Sequence, residues 1–433
     1  MQHSHDALDR PGGVARGRLL SPLGYRDFRV LWAGMTVSLL GDGIFIVAIA
    51  WESYVLWNAP AALSIVSIGM TVPTIVFLLF GGIVSDRYDR RLVMAWADGI
   101  RALAVAVLAA LVLAGSLHFW QLVALVAVYG AGTAFFTPAF EAIVPQLLPD
   151  AELPAANALD QFVRPFALRL VGPVAGGGLV ALSTGIAFAI DAASFAATFI
   201  AVLAIRTRRQ VNRDTQLSTL AAIGEGFRFV RARTWLWGTL VSAAIAYLVF
   251  LGPAEVLLPF IVKNELHASA GTLGLVLAAG GVGALGAAAF VGRREHPRRD
   301  ITIVYATWTL ATLAIAGYGL ASAAWQLMIA CLAFNALEAA GTIVWSTVKQ
   351  RHVPAALLGR VSSMDWLISI SLLPLSFALT GPAAAAVGAR TTLAVAGIAG
   401  AVLTLAALFL PGMRDVEDAV PGRATLAADT LQA

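Results

Sequence analysis

The chain has 433 residues, 59% of them hydrophobic and 12% charged, with a mean hydropathy of +0.82. Soluble domains run roughly 45–50% apolar and 25% charged, so this balance excludes a soluble fold. A formal charge of +4 and a pI of about 9.5 would suit nucleic acid, but the arginines sit in short clusters between apolar runs rather than along one face. They are read as topology signals, and no nucleic-acid partner is expected.

Residues 1–29 form a polar, Arg-bearing tail, and the apolar run that follows, 30–57, is longer than the roughly 7–15 residues of a signal-peptide core. No cleavable leader is expected. A bilayer core about 30 Å thick takes about 20 apolar residues per helix, and cutting the chain wherever charges, Pro or Gly break such runs predicts twelve membrane spans. They fall at 30–57, 63–84, 93–115, 119–143, 159–182, 185–205, 235–262, 270–292, 301–321, 324–348, 361–385 and 388–410. Gly and Pro inside several of them are tolerated where neighbouring helices satisfy the freed backbone groups.

Loop charges test that count, because Arg and Lys concentrate on the cytoplasmic side. Alternate loops carry Arg16, Arg18, Arg26 and Arg29, then Arg87, Arg90 and Arg91, then Arg206, Arg208, Arg209 and Arg213. Arg293, Arg294, Arg298 and Arg299 follow, then Lys349, Arg351 and Arg360, whereas the intervening loops hold little beyond Lys263 and Arg390. Both termini are therefore expected in the cytoplasm.

The longest break, 206–234, begins Arg-rich and then spaces Leu217, Leu220, Ile223, Phe227 and Val230 at helical intervals. An amphipathic helix lying on the membrane, or on the underside of the protein, fits that pattern. It divides the chain into an N-terminal six-helix bundle, 30–205, and a C-terminal one, 235–410, with a tail at 411–433. A repeat supports the division: LPDAELPAAN at 148–157 and VPAALLGRV at 353–361 are each followed by a Gly-Pro pair, Gly172-Pro173 and Gly381-Pro382.

After the second span the chain reads Gly82-Ile83-Val84-Ser85-Asp86-Arg87-Tyr88-Asp89-Arg90-Arg91, which resembles the loop signature G-x-L-A-D-R-x-G-R-K of the major facilitator superfamily. With Asp89 in place of Gly, it looks like the drug-exporter branch that includes macrolide efflux proteins and the enterobactin exporter. Leu31 to Gly34, Ser38 to Asp42, Val144 to Gln146 and Ala156 to Ala158 resemble the same branch, so the likeness runs from about Ser21 to Pro411. It implies an all-α membrane protein with two pseudo-symmetric bundles, a gating role for Gly82, Asp86, Arg87, Arg90 and Arg91, and a monomer in the bacterial inner membrane. Gly172-Pro173-Val174-Ala175-Gly176-Gly177 resembles the G-x-x-x-G-P-x-x-G-G element of antiporters, although Leu168 stands at its first Gly. Val126 occupies the place where many proton-coupled exporters carry Arg.

An ionisable group at mid-bilayer costs at least about 2.5–3.5 kcal/mol and calls for a partner or a water-filled cavity. At about 1.5 Å per residue, Asp42, Arg169 and Glu338 fall roughly 16–18, 15 and 21 Å into their spans, nearest the midplane. Glu52, Asp191 and Glu255 fall in outer portions, and Glu141 and Arg164 toward the cytoplasmic ends. In the fold that the resemblance implies, spans one, four, seven and ten line the central cavity, which makes Asp42, Glu141, Glu255 and Glu338 candidates for substrate or proton coupling, with Arg169 as a counter-charge. Asp42 and Glu338 are the preferred pair. A carboxyl group there can alternate between holding a proton and holding a cationic substrate. The alternative for Asp42 is a fixed ion pair with Arg169 or a bond to backbone amides. Trp51, Tyr129, Phe135, Phe136, Tyr247, Phe250 and Trp345 lie on the same spans.

These features point to an exporter of hydrophobic or amphipathic small molecules, driven by inward proton flow through alternating access. Uptake or uncoupled passage in the same fold is the second reading, and a membrane sensor or scaffold ranks last. Enzyme chemistry would need clustered groups such as His-Glu-x-x-His or Gly-x-Ser-x-Gly, and neither occurs. Cys331 is the single cysteine, and all six histidines fall in tails or loops, so no metal or other cofactor is expected.

Overall fold

The computed structural model describes residues 20–206, 219–291 and 299–418. Twelve helices long and apolar enough to cross a membrane fill these stretches. In the first half they are α1 (Arg26–Leu56), α2 (Ala61–Arg87), α3 (Arg90–Leu113), α4 (Phe119–Leu147), α5 (Leu153–Leu182) and α6 (Thr184–Leu203). The second half has α7 (Thr234–Glu265), α8 (Ala270–Val291), α9 (Asp300–Leu320), α10 (Ala324–His352), α11 (Leu357–Val387) and α12 (Ala389–Ala407). Every span expected from hydropathy is present. Several run a turn or more further than the apolar pattern, as where α1 begins at Arg26, α4 reaches Leu147 and α10 reaches His352. Hydropathy trims these turns because they carry polar and charged residues, which water at the interface can solvate.

Prolines and wide turns bend the helices where they approach one another. α5 passes through a π-helical turn at Phe166–Val171 between Pro165 and Pro173, and α7 ends in another at Ile261–Glu265. α11 is broken at Ser371-Leu372, just before Pro374. Each is a site where the ordinary backbone ladder gives way.

The helices form two bundles of six with matching internal packing. α2 packs on α4, α3 on α4 and α6, and α1 on α5 and α6; correspondingly, α8 packs on α10, α9 on α10 and α12, and α7 on α11 and α12. The halves meet mainly through α5 with α8 and α2 with α11, with smaller contacts of α1 and α2 on α7. Glycine makes this approach possible. A β-carbon on Gly177 of α5 would lie 2.9 Å from the Ala270 carbonyl oxygen and 3.1 Å from the Gly274 α-carbon of α8. On α11, Gly381 meets Ala61 of α2 in the same way, at 2.7 Å from its β-carbon. Small residues let helix backbones touch where lipid provides no hydrophobic drive for association.

The helix count is even, so both termini of the described chain lie at one end, called here the terminal end. At the opposite end a single apolar core runs through both bundles, from Ile44 and Tyr54 of α1 to Val256, Val262 and Leu273 of α7 and α8. At the terminal end the core is divided. One part gathers Phe28, Trp32, Met94, Phe140 and Ile205 from the first bundle, the other Trp235, Tyr305, Trp345, Val361 and Met413 from the second. The molecule is a V, closed at the opposite end and parted at the terminal end.

Between the bundles, the helix Thr219–Arg231 lies against α11, where Gly226 faces Arg360 and Met364. Val230 is buried in the second terminal-end core and Phe227 is exposed. Leu217, the Arg208–Arg213 cluster and the Gly292-Arg293-Arg294 loop lie outside the described residues, as do the ends of both tails.

Candidate functional site

Polar groups concentrate at mid-depth of the first bundle, on four helices. The Tyr129 hydroxyl of α4 donates to Asp42 Oδ1 of α1 at 2.6 Å. On α3, Asp98 and Arg101 stand one turn apart and form an ion pair, with Asp98 at 0% and Arg101 at 3% exposure. Asp191 of α6, also at 0%, accepts from Ser194 Oγ at 3.3 Å. It approaches α1 because Gly41, next to Asp42, leaves room that Ser194 Oγ and Asp191 Oδ1 occupy. The Arg101 charge, paired directly with Asp98, also reaches Asp42 and Asp191.

The Arg101 guanidinium is held between two rings, Phe136 at 4.5 Å and Phe195 at 4.4 Å from their centres. Phe45 stacks on Tyr129 at 4.6 Å and Phe188 lies against Phe45, so apolar walls surround the whole group. Cation–π contact of this kind strengthens as water is excluded. Three buried polar atoms here have no hydrogen-bond partner among the described residues: Asp98 Oδ2, Asp191 Oδ2 and Arg101 Nε.

The corresponding helices of the second bundle, α7, α9, α10 and α12, enclose a cavity instead. Its volume is about 40 Å³, and Tyr247, Phe250, Trp308, Phe334 and Glu338 contribute to its wall. Glu338 is half-buried and accepts from Thr342 Oγ1 at 3.0 Å. A larger cavity of about 470 Å³ opens in the first bundle toward the terminal end, between α1, α4 and α5. Trp32, Phe136 and Phe140 give it an aromatic wall, and Glu141 and Asp160 give it negative charge. Arg164, on the same wall, is tied to Asp160 by two bonds of 3.2 Å.

The five coupling candidates thus do not form one site, and only Arg169 and Glu255 come together. Asp42 joins the buried group with Tyr129 and Arg101, rather than pairing with Arg169. Arg169 sits in the π-turn of α5, exposed, and its charge acts on Glu255 of α7, in the other bundle. Glu338 lies in the small second-bundle cavity and Glu141 in the large first-bundle one. Asp98 and Arg101 escape sequence reading because the apolar residues around them keep the average hydropathy of α3 high. Their spacing of three on an apolar helix was the available signal.

The hydrogen bonds described for the loop after α2 join helices of its own bundle. Asp89 caps α3, accepting from the Arg91 N–H at 3.0 Å. Arg90 donates to the Ala142 carbonyl of α4 at 2.9 Å, and Arg91 donates to the Ile205 carbonyl after α6. Asp86 lies in the last turn of α2, Gly82 a turn earlier, and Arg87 is exposed. On α5, Gly172 meets Gly43 of α1, its β-carbon position 2.6 Å from the Gly43 α-carbon, and Gly176 meets Ile44. Pro173 offers its carbonyl oxygen to the space beside Gly274.

At the opposite end, polar ties cross between the bundles. The Tyr54 hydroxyl of α1 donates to the Val256 carbonyl of α7 at 2.6 Å, and Lys263 Nζ of α7 donates to the Tyr54 carbonyl. Lys263 also lies over the Trp51 ring, at 5.7 Å, with Glu52 buried nearby.

Comparison with known proteins agrees with this architecture. A family model described as transmembrane secretion effector matches residues 18–429. The multidrug efflux pump Tap of Mycolicibacterium fortuitum is 30% identical over 406 residues, covering 90% of this chain and 96% of that protein. Macrolide efflux protein A of Streptococcus pyogenes is 24% identical, over 82% of this chain and 88% of its own length. Among solved structures, a bacterial homologue of the iron transporter ferroportin in its inward-facing state superimposes with a TM-score of 0.63 at 16% identity, over 91% of this chain and 99% of that one.

Proposed function

The chain belongs to the transmembrane secretion effector family of the major facilitator superfamily, a family of multi-pass small-molecule transporters, and from this premise we propose that it exports hydrophobic or amphipathic compounds of drug, macrolide or siderophore type. The carrying observation is the V itself. One apolar core joins the bundles at the opposite end and two separate cores part them at the terminal end, an arrangement that is one member of an alternating-access pair.

With the Arg-rich terminal end in the cytoplasm of a bacterial inner membrane, this is the inward-open state. The 470 Å³ cavity then faces the cytoplasm and receives cargo, its aromatic walls taking apolar surface and its carboxylates favouring cations. Rocking about the glycine-lined α5–α8 and α2–α11 contacts opens the other side. Inward proton flow drives the cycle, and a single chain carries it out.

The test is accumulation of ethidium, erythromycin and tetracycline in an efflux-deficient bacterial host, with and without the protein. Accumulation several-fold lower, restored by a protonophore, is the expected result. Accumulation that rises when the protein is present indicates the second reading, uptake, which the Leu168 departure from the antiporter element leaves open. Equal accumulation of all three compounds sinks the drug-export reading.

A further inference from the structure

Counting charge in the first bundle leads beyond the identity of the cargo. Asp42 comes from α1, Asp98 and Arg101 from α3, Tyr129 from α4 and Asp191 from α6. The next charge outward that acts on Asp42 is Arg164 of α5, which is already bonded to Asp160. Three carboxyl groups therefore share one guanidinium among apolar side chains. Ionised together, they would leave a net charge of minus two at mid-depth of a membrane bundle. Each uncompensated buried ion costs several kcal/mol, so the group reaches neutrality by holding protons.

The geometry says which member can change. Arg101 is clamped between Phe136 and Phe195 and bonded to Asp98, so the cation is fixed in place. The carboxyl oxygens without partners, Asp98 Oδ2 and Asp191 Oδ2, are where a proton has room. Asp42 is half-buried, in contrast to the other two, and provides the way in. Phe136 is at once a wall of the 470 Å³ cavity and a cover on Arg101, so one ring separates the group from the terminal-end opening.

We infer that Asp42, Asp98 and Asp191, gathered about Arg101, are a shared proton-binding site of the first bundle, and that the protons exchanged for cargo are held there rather than at Glu338. The inference rests on the exporter reading for the word cargo; the proton-holding itself does not. Glu338, exposed to a cavity with aromatic walls and without a basic partner in it, is left to recognise the transported molecule.

Proton binding at this site acts close to the moving parts. Gly43, the residue after Asp42, packs against Gly172 of α5, and five residues further along α5, Gly177 meets Gly274 of the second bundle. A proton taken up on one side of the membrane neutralises a carboxylate beside that contact. Its release on the other side restores the negative charge, and no other bond is made or broken.

Two measurements test this on the purified full-length chain. The first is infrared spectroscopy at neutral pH, reading the C=O stretch of protonated carboxylic acids. The wild type is expected to show that band, and Asp191→Asn and Asp42→Asn to diminish it. A wild type without the band overturns the inference whatever the protein transports. The second uses proteoliposomes and compares ethidium uptake driven by a pH gradient with ethidium exchange in its absence. Asp191→Asn and Asp98→Asn are expected to lose uphill uptake by about tenfold or more while exchange stays within about twofold, and Glu338→Gln is expected to keep its response to the gradient.

Uphill uptake preserved in both Asn variants, or lost only in Glu338→Gln, overturns the assignment. A wild type that exchanges ethidium but ignores the gradient refutes the antiport reading and the coupling half of the inference, and leaves the infrared result to judge proton-holding. Should the single variants fold poorly, the pair Asp98→Asn with Arg101→Gln removes both opposite charges together. It is expected to shift the infrared band, and an unchanged band excludes Asp98 from the site.

Discussion

The two bundles are packed alike and use the same four positions in opposite ways. Where α1, α3, α4 and α6 bring together Asp42, Asp98, Arg101, Tyr129 and Asp191, α7, α9, α10 and α12 leave a small cavity beside Tyr247, Trp308, Phe334 and Glu338. The first arrangement is costly to disturb, because each polar group depends on the others for its neutrality. The second tolerates change, because Glu338 is already half-exposed and accepts its bond from Thr342, one turn away on the same helix. A duplicated architecture thus separates a group that must stay fixed from a surface free to vary.

The contrast can be broken most decisively at Arg101. Replacing it by Ala strands buried carboxyl groups and is expected to cost about 3–5 kcal/mol, read as a large drop in melting temperature in detergent. A variant as stable as the wild type would mean that the first bundle is no stiffer than the second. Next in size is Gly177→Leu, which forces a side chain into the α8 backbone. Overpacking of about 1–3 kcal/mol should prise the closed end apart and cut ethidium exchange by roughly fivefold or more.

A smaller effect is expected from Tyr54→Phe, which deletes one cross-bundle hydrogen bond worth about 0.5–1.5 kcal/mol. Spin labels at Asn58 and His267, both exposed at the opposite end, should report a larger fraction of the widened form. An unchanged distance distribution would show that apolar packing alone holds that end. The smallest change in stability belongs to Glu338→Gln, expected within about 0.5 kcal/mol of the wild type, while its preference between ethidium and uncharged compounds shifts. A loss of stability comparable to that of Arg101→Ala would erase the distinction between the bundles.

Much of this fold was legible because the bilayer enforces it. Twenty-residue apolar runs have few alternatives, and the break around 206–234 and the Gly82–Arg91 signature mark the two halves and the loop between α2 and α3. Local pairs such as Asp160 and Arg164, four apart on one helix face, could also be anticipated. Pairs made across helices could not. Tyr129 reaches Asp42 and Lys349 reaches Asp365 only because packing brings α4 to α1 and α10 to α11. Asp191 looked peripheral from its position in α6, and a bare Gly41 on another helix draws it beside Asp42. Depth along one helix is readable from sequence, whereas rotation about its axis relative to a neighbour is set by contacts far away in the chain.

The closed end has a property that bears on how such a protein can diverge. Besides the contacts of Lys263 with the Trp51 ring and the Glu52 charge, the two hydrogen bonds described across it end on backbone carbonyls, those of Val256 and Tyr54. A carbonyl persists through every amino-acid replacement, so half of each tie lies beyond the reach of mutation. In these hydrogen bonds drift acts on the donors, Tyr54 and Lys263, and each bond can be lost or regained by a single substitution without a matching change in its acceptor. The balance between the two states can therefore be retuned in single steps, while the helices that surround the cargo change on their own schedule.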